Sequence, residues 1–312
     1  MRKRFSSSAW VVVLFLALAA CGRSDPGDAA AGSGVPSADS AFPVTIEAAN
    51  GSVTIDAQPT NIVSLSPTAT EMLFEIGAGE QVEAVDDQSD YPDGVPTTDL
   101  SGFEPNIEAV VSYGPDLVVL SGDAGGFGKG IEKFDVPVLR QPVAATIEDT
   151  YEQLGQLGDA TGQRERADLV VDLMRTDVEE ILASAPDGSG MSVYHELDDT
   201  YYSVTSDTFI GQVYSMFGVE NIADEAKGAG SGYPQLSSEY IVDRDPSLIV
   251  LADGECCGQD PSTVADRPGW GDLTAVTTGS VIAIDDDIAS RWGPRVVDFM
   301  RAVADGLSGS VA

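Results

Sequence analysis

The chain has 312 residues, 43% of them hydrophobic and 21% charged, which excludes whole-chain disorder and leaves room for about two domains. Its 51 acidic and 16 basic residues give a net charge of −35. That balance argues against nucleic acid as a partner, because phosphate binding needs a basic patch, and against attraction to an anionic membrane surface.

The N-terminus opens with a cationic segment, "MRKRF", followed by the apolar run "AWVVVLFLALAA". The run has the length of a signal peptide and is short for a membrane span. It ends in "LAAC", and the small residues Ala19 and Ala20 before Cys21 resemble a bacterial lipobox. In that reading residues 1–20 are a signal, cut just before Cys21, whose thiol is diacylated. The alternative is an ordinary secretory signal with an incidental cysteine. Cleavage removes Arg2, Lys3 and Arg4 and takes the net charge from −35 to −38. Residues 21–42, rich in Gly, Ser, Ala and Pro, read as a flexible tether.

From residue 43 strand and helix signals alternate, the βαβ rhythm of a mostly parallel sheet. Strands are predicted at Ile62–Leu65, Val82–Val85, Leu117–Leu120 and Val136–Leu139. The first runs through "SPTATE" into an amphipathic helix with Ala69, Met72, Leu73 and Ile76 on one face. Either Ser66 caps this helix with Pro67 in the first turn, or Thr68 and Glu71 form a capping box. The Gly-rich segment Gly122–Gly130 lacks the spacing and the Ser/Thr of a phosphate loop and reads as a mobile loop. A long helical stretch follows from about Ile147 to Ala183 and ends at the breakers "PDGSG". Strands resume at Met191–His195, Leu248–Leu251 and Val281–Ile284.

The two halves echo each other. "IEAVVSYGPDLVVLSG" from Ile107 and "SEYIVDRDPSLIVLADG" from Ser238 align at an offset of 131, pairing Glu108 with Glu239, Pro115 with Pro246 and Leu117 with Leu248. A roughly duplicated, two-lobed α/β protein follows: an N-terminal lobe at 43–160, a linking helix at 161–185 and a C-terminal lobe at 186–312. A stiff helical link implies a small closing motion.

Chemistry is constrained by omission. The one histidine, His195, lies in or at the end of a strand and reads as structural; there is no HExxH or GxSxG. Carboxylates are too abundant for any pair, such as Asp86/Asp87, to stand out as a catalytic dyad. The run Asp285–Asp287 is a cation site or, preferably, a solvated loop. Adjacent Cys256 and Cys257 leave a vicinal disulfide, free thiols or a ligand contact open.

"NIVSLSPTATEMLFEIGAGEQVEAVDDQSDYP", "PDLVVL", "GYPQLSSEYI", "RPGW" and "SRWGPRVVD" resemble the substrate-binding lipoproteins of ABC importers for iron-siderophore complexes, cobalamin and heme, over about residues 44–305. The resemblance implies two Rossmann-like α/β lobes joined by a single long α-helix, with the ligand in the cleft between them. It implies a monomer without catalysis or intrinsic cofactor, serving an ABC permease and its ATPase and held to the membrane through the lipid at Cys21. The ligand it implies is a metal chelate, a ferric siderophore first, cobalamin or heme next. A bare metal ion, another small nutrient, an enzyme on a similar fold and a structural lipoprotein are the rivals. Ser66, Thr68, Phe103, Tyr233, Arg291, Trp292 and Arg295 are its implied ligand contacts, with Arg291 foremost. Glu108 and Glu239 match the pair that docks on permease arginines, one per lobe.

Overall fold

The computed structural model describes residues 42–310. The signal segment, Cys21 and nearly all of the tether lie outside the described residues. The described chain opens with an antiparallel hairpin, β1 (Val44–Ala48) and β2 (Gly51–Ile55). Sequence reading missed it, although Asn50-Gly51 between two alternating runs is a strong hairpin signal, and Gly51 takes φ +104°. The Asn50 side chain donates to the Val138 carbonyl at 2.8 Å and accepts from the Arg140 N–H at 3.1 Å, pinning the turn to a sheet edge.

The first lobe continues with β3 (Ile62–Leu65), α1 (Pro67–Glu75), β4 (Val82–Val85), α2 (Ile107–Ser112), β5 (Leu117–Leu120), α3 (Phe127–Glu132) and β6 (Val138–Arg140). Then come α4 (Ile147–Thr161) and α5 (Arg164–Ser184). The second lobe holds β7 (Ser192–Glu196), α6 (Phe209–Met216), β8 (Glu220–Asn221), α7 (Ser238–Arg244), β9 (Leu248–Leu251), α8 (Gly254–Cys257), α9 (Pro261–Ala265), α10 (Thr274–Thr278) and β10 (Val281–Ala283). Helix α11 (Val296–Ser310) closes the described chain.

Both four-stranded sheets are parallel. Their orders, β4-β3-β5-β6 and β10-β9-β7-β8, are the same topology: in each lobe the strands stand second, first, third, fourth. The central strands "IVSL", "LVVL" and "LIVL" are buried at every position, as strands covered by helices on both faces must be. The echo at offset 131 is structural. Helices α2 and α7 start at equivalent residues, Asn106 and Ser237 cap them, and Gly114 and Asp245 both take positive φ where each helix turns into its strand.

Two expectations need correction. The helical stretch from Ile147 is interrupted: Gly162 closes α4 in the left-handed region at φ +72°, and α5 starts afresh. Helix α5, 21 residues and about 31 Å long, is the link between the sheets. It buries Ala167, Val170, Met174, Val178 and Ile181, and packs on α4 and α11. The Gly-rich segment is not an open loop but a short 3-10 turn leading into α3. Phe127 and Ile131 anchor α3 in the core, and Gly130 leaves room for Ile107, whose Cδ1 would be 2.4 Å from any Cβ there.

Candidate functional site

Parallel sheets leave a crevice at the carboxyl ends of their strands, where connections diverge. In the first lobe that edge is lined by residues that each follow a strand: Ser66, Pro67 and Thr68 after β3, Asp86 and Gln88 after β4, Ser121 and Gly122 after β5, and Val143 after β6. Gly102 and Phe103 form one side. The segment after β10 of the second lobe, with Asp287, Ser290, Arg291 and Trp292, closes the other. Together they enclose a cavity of about 440 Å³. Its rim is apolar and exposed, Phe103 at 81% and Val143 at 55%.

The Ser66 side chain accepts from the Ala69 N–H at 3.4 Å, so Ser66 is the helix cap and Thr68 lies inside α1. Glu71 is thereby freed from a capping box and points at the second lobe. It meets Arg291 at 2.7 Å and Arg295 at 2.6 Å, with Glu71 and Arg291 both buried. Arg291 also reaches Asp287 at 2.6 Å, Asp90 at 3.2 Å and the Gln88 carbonyl at 3.0 Å. Burial pushes Asp287 up to about 6, with the Arg291 guanidinium opposing and Asp90 adding. Trp292 donates from Nε1 to Gln153 at 2.9 Å, and Thr150 donates to its carbonyl at 2.9 Å, so the segment is docked on α4 as well. Losing one member of a buried ion set leaves an uncompensated charge and costs about 3–5 kcal/mol, which makes Glu71 a clamp between lobes.

The structure therefore gathers Ser66, Thr68, Phe103, Arg291 and Trp292 around one cavity. Arg295 stands outside it, stacked 4.1 Å over the Tyr91 ring in a separate depression of about 270 Å³. Tyr233 is half-exposed on a turn of the second lobe and does not line the cavity. Asp86, Gln88, Ser121 and Asp287 were missed; their signal is position, directly after strand ends.

Asp86 is buried at the cavity wall. Burial raises its pKa, and hydrogen bonds from Ser89 and the Gln88 N–H oppose the shift. In the second lobe Arg267 holds buried Glu196 through both guanidinium nitrogens, at 2.6 and 2.5 Å. Burial and then the Glu196 charge push neighbouring Asp253 up to about 7. Cys256 and Cys257 form a vicinal disulfide in α8, whose Cys256 N–H donates to Asp286 at 3.1 Å. Asp285 in turn accepts from the Asp287 and Ile288 N–H groups at 3.0 Å, so the acidic run serves as caps and ion partners. No cluster of His, Cys, Asp and Glu suited to a metal ion occurs among the described residues.

His195 is fully buried on β7, its Nδ1 2.7 Å from the Tyr214 hydroxyl, and burial lowers its pKa to about 3. Glu108 and Glu239 are exposed in the first turns of α2 and α7. Each of these helices runs back to the start of the next parallel strand, which puts its first turn on the cavity side of the sheet.

Two duplicated α/β lobes, one linking helix and a cavity at the strand ends are the build of a solute-binding protein. The chain belongs to the periplasmic binding protein family, whose sequence profile matches residues 62–288. It is 30% identical to the ABC transporter substrate-binding lipoprotein YvrC of Bacillus subtilis, over 98% of both chains. It is 30% identical to a cobalamin-binding protein of Halobacterium salinarum, over 85% of this chain and 74% of that one. The fold superposes on the periplasmic vitamin B12 binding protein BtuF of Vibrio cholerae with a TM-score of 0.68 at 20% identity, covering 81% and 98% of the two chains.

Proposed function

We propose that this protein is an extracytoplasmic binding protein, anchored through lipidated Cys21, that captures a corrinoid of the cobalamin class and delivers it to an ABC permease without catalysis. The observation that carries the choice of ligand is the charge of the cavity. Its arginine is already engaged by Glu71, Asp90 and Asp287, and Asp86 adds a further carboxyl. An anionic siderophore or the propionates of heme would find acid there and no unengaged guanidinium. A neutral chelate rich in carboxamides meets hydrogen-bonding groups on the walls and the apolar faces of Phe103, Val143 and Trp292 at the rim. The cobalamin-binding relative supports the same ranking, which moves the corrinoid ahead of the ferric siderophore. Glu108 and Glu239, one per lobe on equivalent helices, are the proposed contacts with basic residues of the permease, setting orientation and encounter rate.

Equilibrium dialysis of the full protein in mild detergent tests the ligand. The panel is cyanocobalamin, hemin, a neutral ferric trihydroxamate and an anionic ferric tricatecholate. Saturable one-to-one binding of cyanocobalamin, tighter than the rest, is expected. Tightest binding of the tricatecholate or hemin would sink the corrinoid reading, and no binding across the panel would sink chelate capture.

A further inference from the structure

Asp86 follows β4 directly and is 2% exposed, yet it forms part of the cavity wall. One side chain donates to it: Ser89, to Oδ1 at 2.7 Å. Ser89 is fixed in turn by Thr70 at 3.0 Å, and Thr70 by Ser64 at 2.9 Å, so a buried hydroxyl chain sets the carboxyl's orientation. The other oxygen, Oδ2, lies against Gly102. A Cβ at residue 102 would stand 2.6 Å from Oδ2 and 2.9 Å from the Leu65 carbonyl, so only glycine lets this loop pack so closely on the carboxyl. Gly102 lines the same cavity. The nearby cation, Arg291, directs Nη1 to Glu71 and Nη2 to Gln88, Asp90 and Asp287.

We infer that Asp86, oriented by Ser89 in the cavity wall, is a specificity-determining residue: its carboxyl accepts a hydrogen bond from a neutral N–H donor of the ligand, such as a carboxamide, and disfavours ligands that present a carboxylate at that position. The inference rests on the proposed capture of a metal chelate and says how that site chooses among chelates. A carboxamide N–H on a buried carboxylate makes a charge-assisted bond. A ligand carboxylate in the same place faces a like charge out of water, and one of the two must take up a proton.

The test titrates the detergent-solubilised full protein, its Asp86→Asn variant and its Asp86→Ala variant. The ligands are cyanocobalamin and cobyrinic acid, a corrin in which carboxylates replace the carboxamides. Asn has the shape of Asp and retains an acceptor for Ser89, so at least this variant should fold; thermal melts check both. The wild type should prefer cyanocobalamin. Asp86→Asn should narrow that preference by about tenfold or more, and Asp86→Ala should weaken cyanocobalamin binding by about tenfold or more. An unchanged preference in folded Asp86→Asn, together with unchanged cyanocobalamin affinity in folded Asp86→Ala, overturns the role of Asp86 while leaving capture intact. A wild type that binds neither corrin overturns the corrinoid reading instead. The variants are then compared on the neutral and anionic ferric chelates, where preference for the anionic one overturns the role of Asp86 as well. Binding of no chelate at all overturns both.

Discussion

At the scale of single residues, some buried groups serve stability alone and others both hold the lobes together and face the cavity. His195 belongs to the first kind. Its pKa falls from 6.5 to about 3 because burial disfavours the imidazolium. The unfolded chain therefore takes up a proton near pH 6.5 that the folded chain refuses until about pH 3. The neutral ring's contribution is intact above about pH 6.5 and is lost as the pH falls toward 3, with a slope of at most about 1.4 kcal/mol per pH unit. Urea unfolding of wild type and His195→Gln at several pH values between 7 and 4 checks this. The wild type's stability relative to the variant should fall by about 1.4 kcal/mol per unit below pH 6. A difference that stays constant with pH would mean that the ring is not held neutral. Arg291 shows why residue roles are harder to read than residue positions. The family resemblance put it foremost among the ligand contacts, and it does line the cavity. What no sequence spacing shows is that Glu71, 220 positions earlier, is already on it at 2.7 Å.

At the scale of elements, the legible parts were those with repeated physical constraints. Strands such as "LVVL" and "LIVL" are apolar throughout because helices cover both faces, and the matching caps, Pro residues and turns of α2 and α7 repeat at a fixed offset. Elements shaped by a few local contacts were less legible. Hairpin β1–β2 carried a local Asn-Gly signal, but its docking through Asn50 on a strand some 90 positions away did not, and α3 forms in a Gly-rich run because Phe127 and Ile131 find a core. The cavity wall was legible at Ser66 and Thr68, next to a recognisable strand-to-helix turn, and illegible at Asp86 and Ser121, whose neighbours come from other strands. Helices α2 and α7 carry a prediction of their own. Charge reversal of both Glu108 and Glu239 to Lys should leave chelate affinity unchanged. It should slow permease-dependent uptake in membrane vesicles by about tenfold or more, since like charges then face each other on docking. Normal uptake by the double variant would remove these glutamates from the docking surface.

At the scale of the whole molecule, duplication explains both the architecture and the site. Two sheets of identical strand order each present a crevice at the strand ends, and the segment after β10 brings the second lobe onto the first. Helix α5 packs along α11, which also lies on β9 and β10, and the Glu71 ion set is buried between lobes, so few elements are left to hinge. A molecule built this way should bind with local ordering at the cavity and little rearrangement elsewhere. Among the described residues no helix is long and apolar enough to cross a membrane. The most direct measurement is amide hydrogen exchange, followed by mass spectrometry, with and without saturating cyanocobalamin. Added protection is expected at residues 66–68, 86–89, 102–103 and 287–292, with α5 and the hairpin unchanged. Protection confined to other segments, with binding saturated, would contradict the placement of the ligand between the lobes.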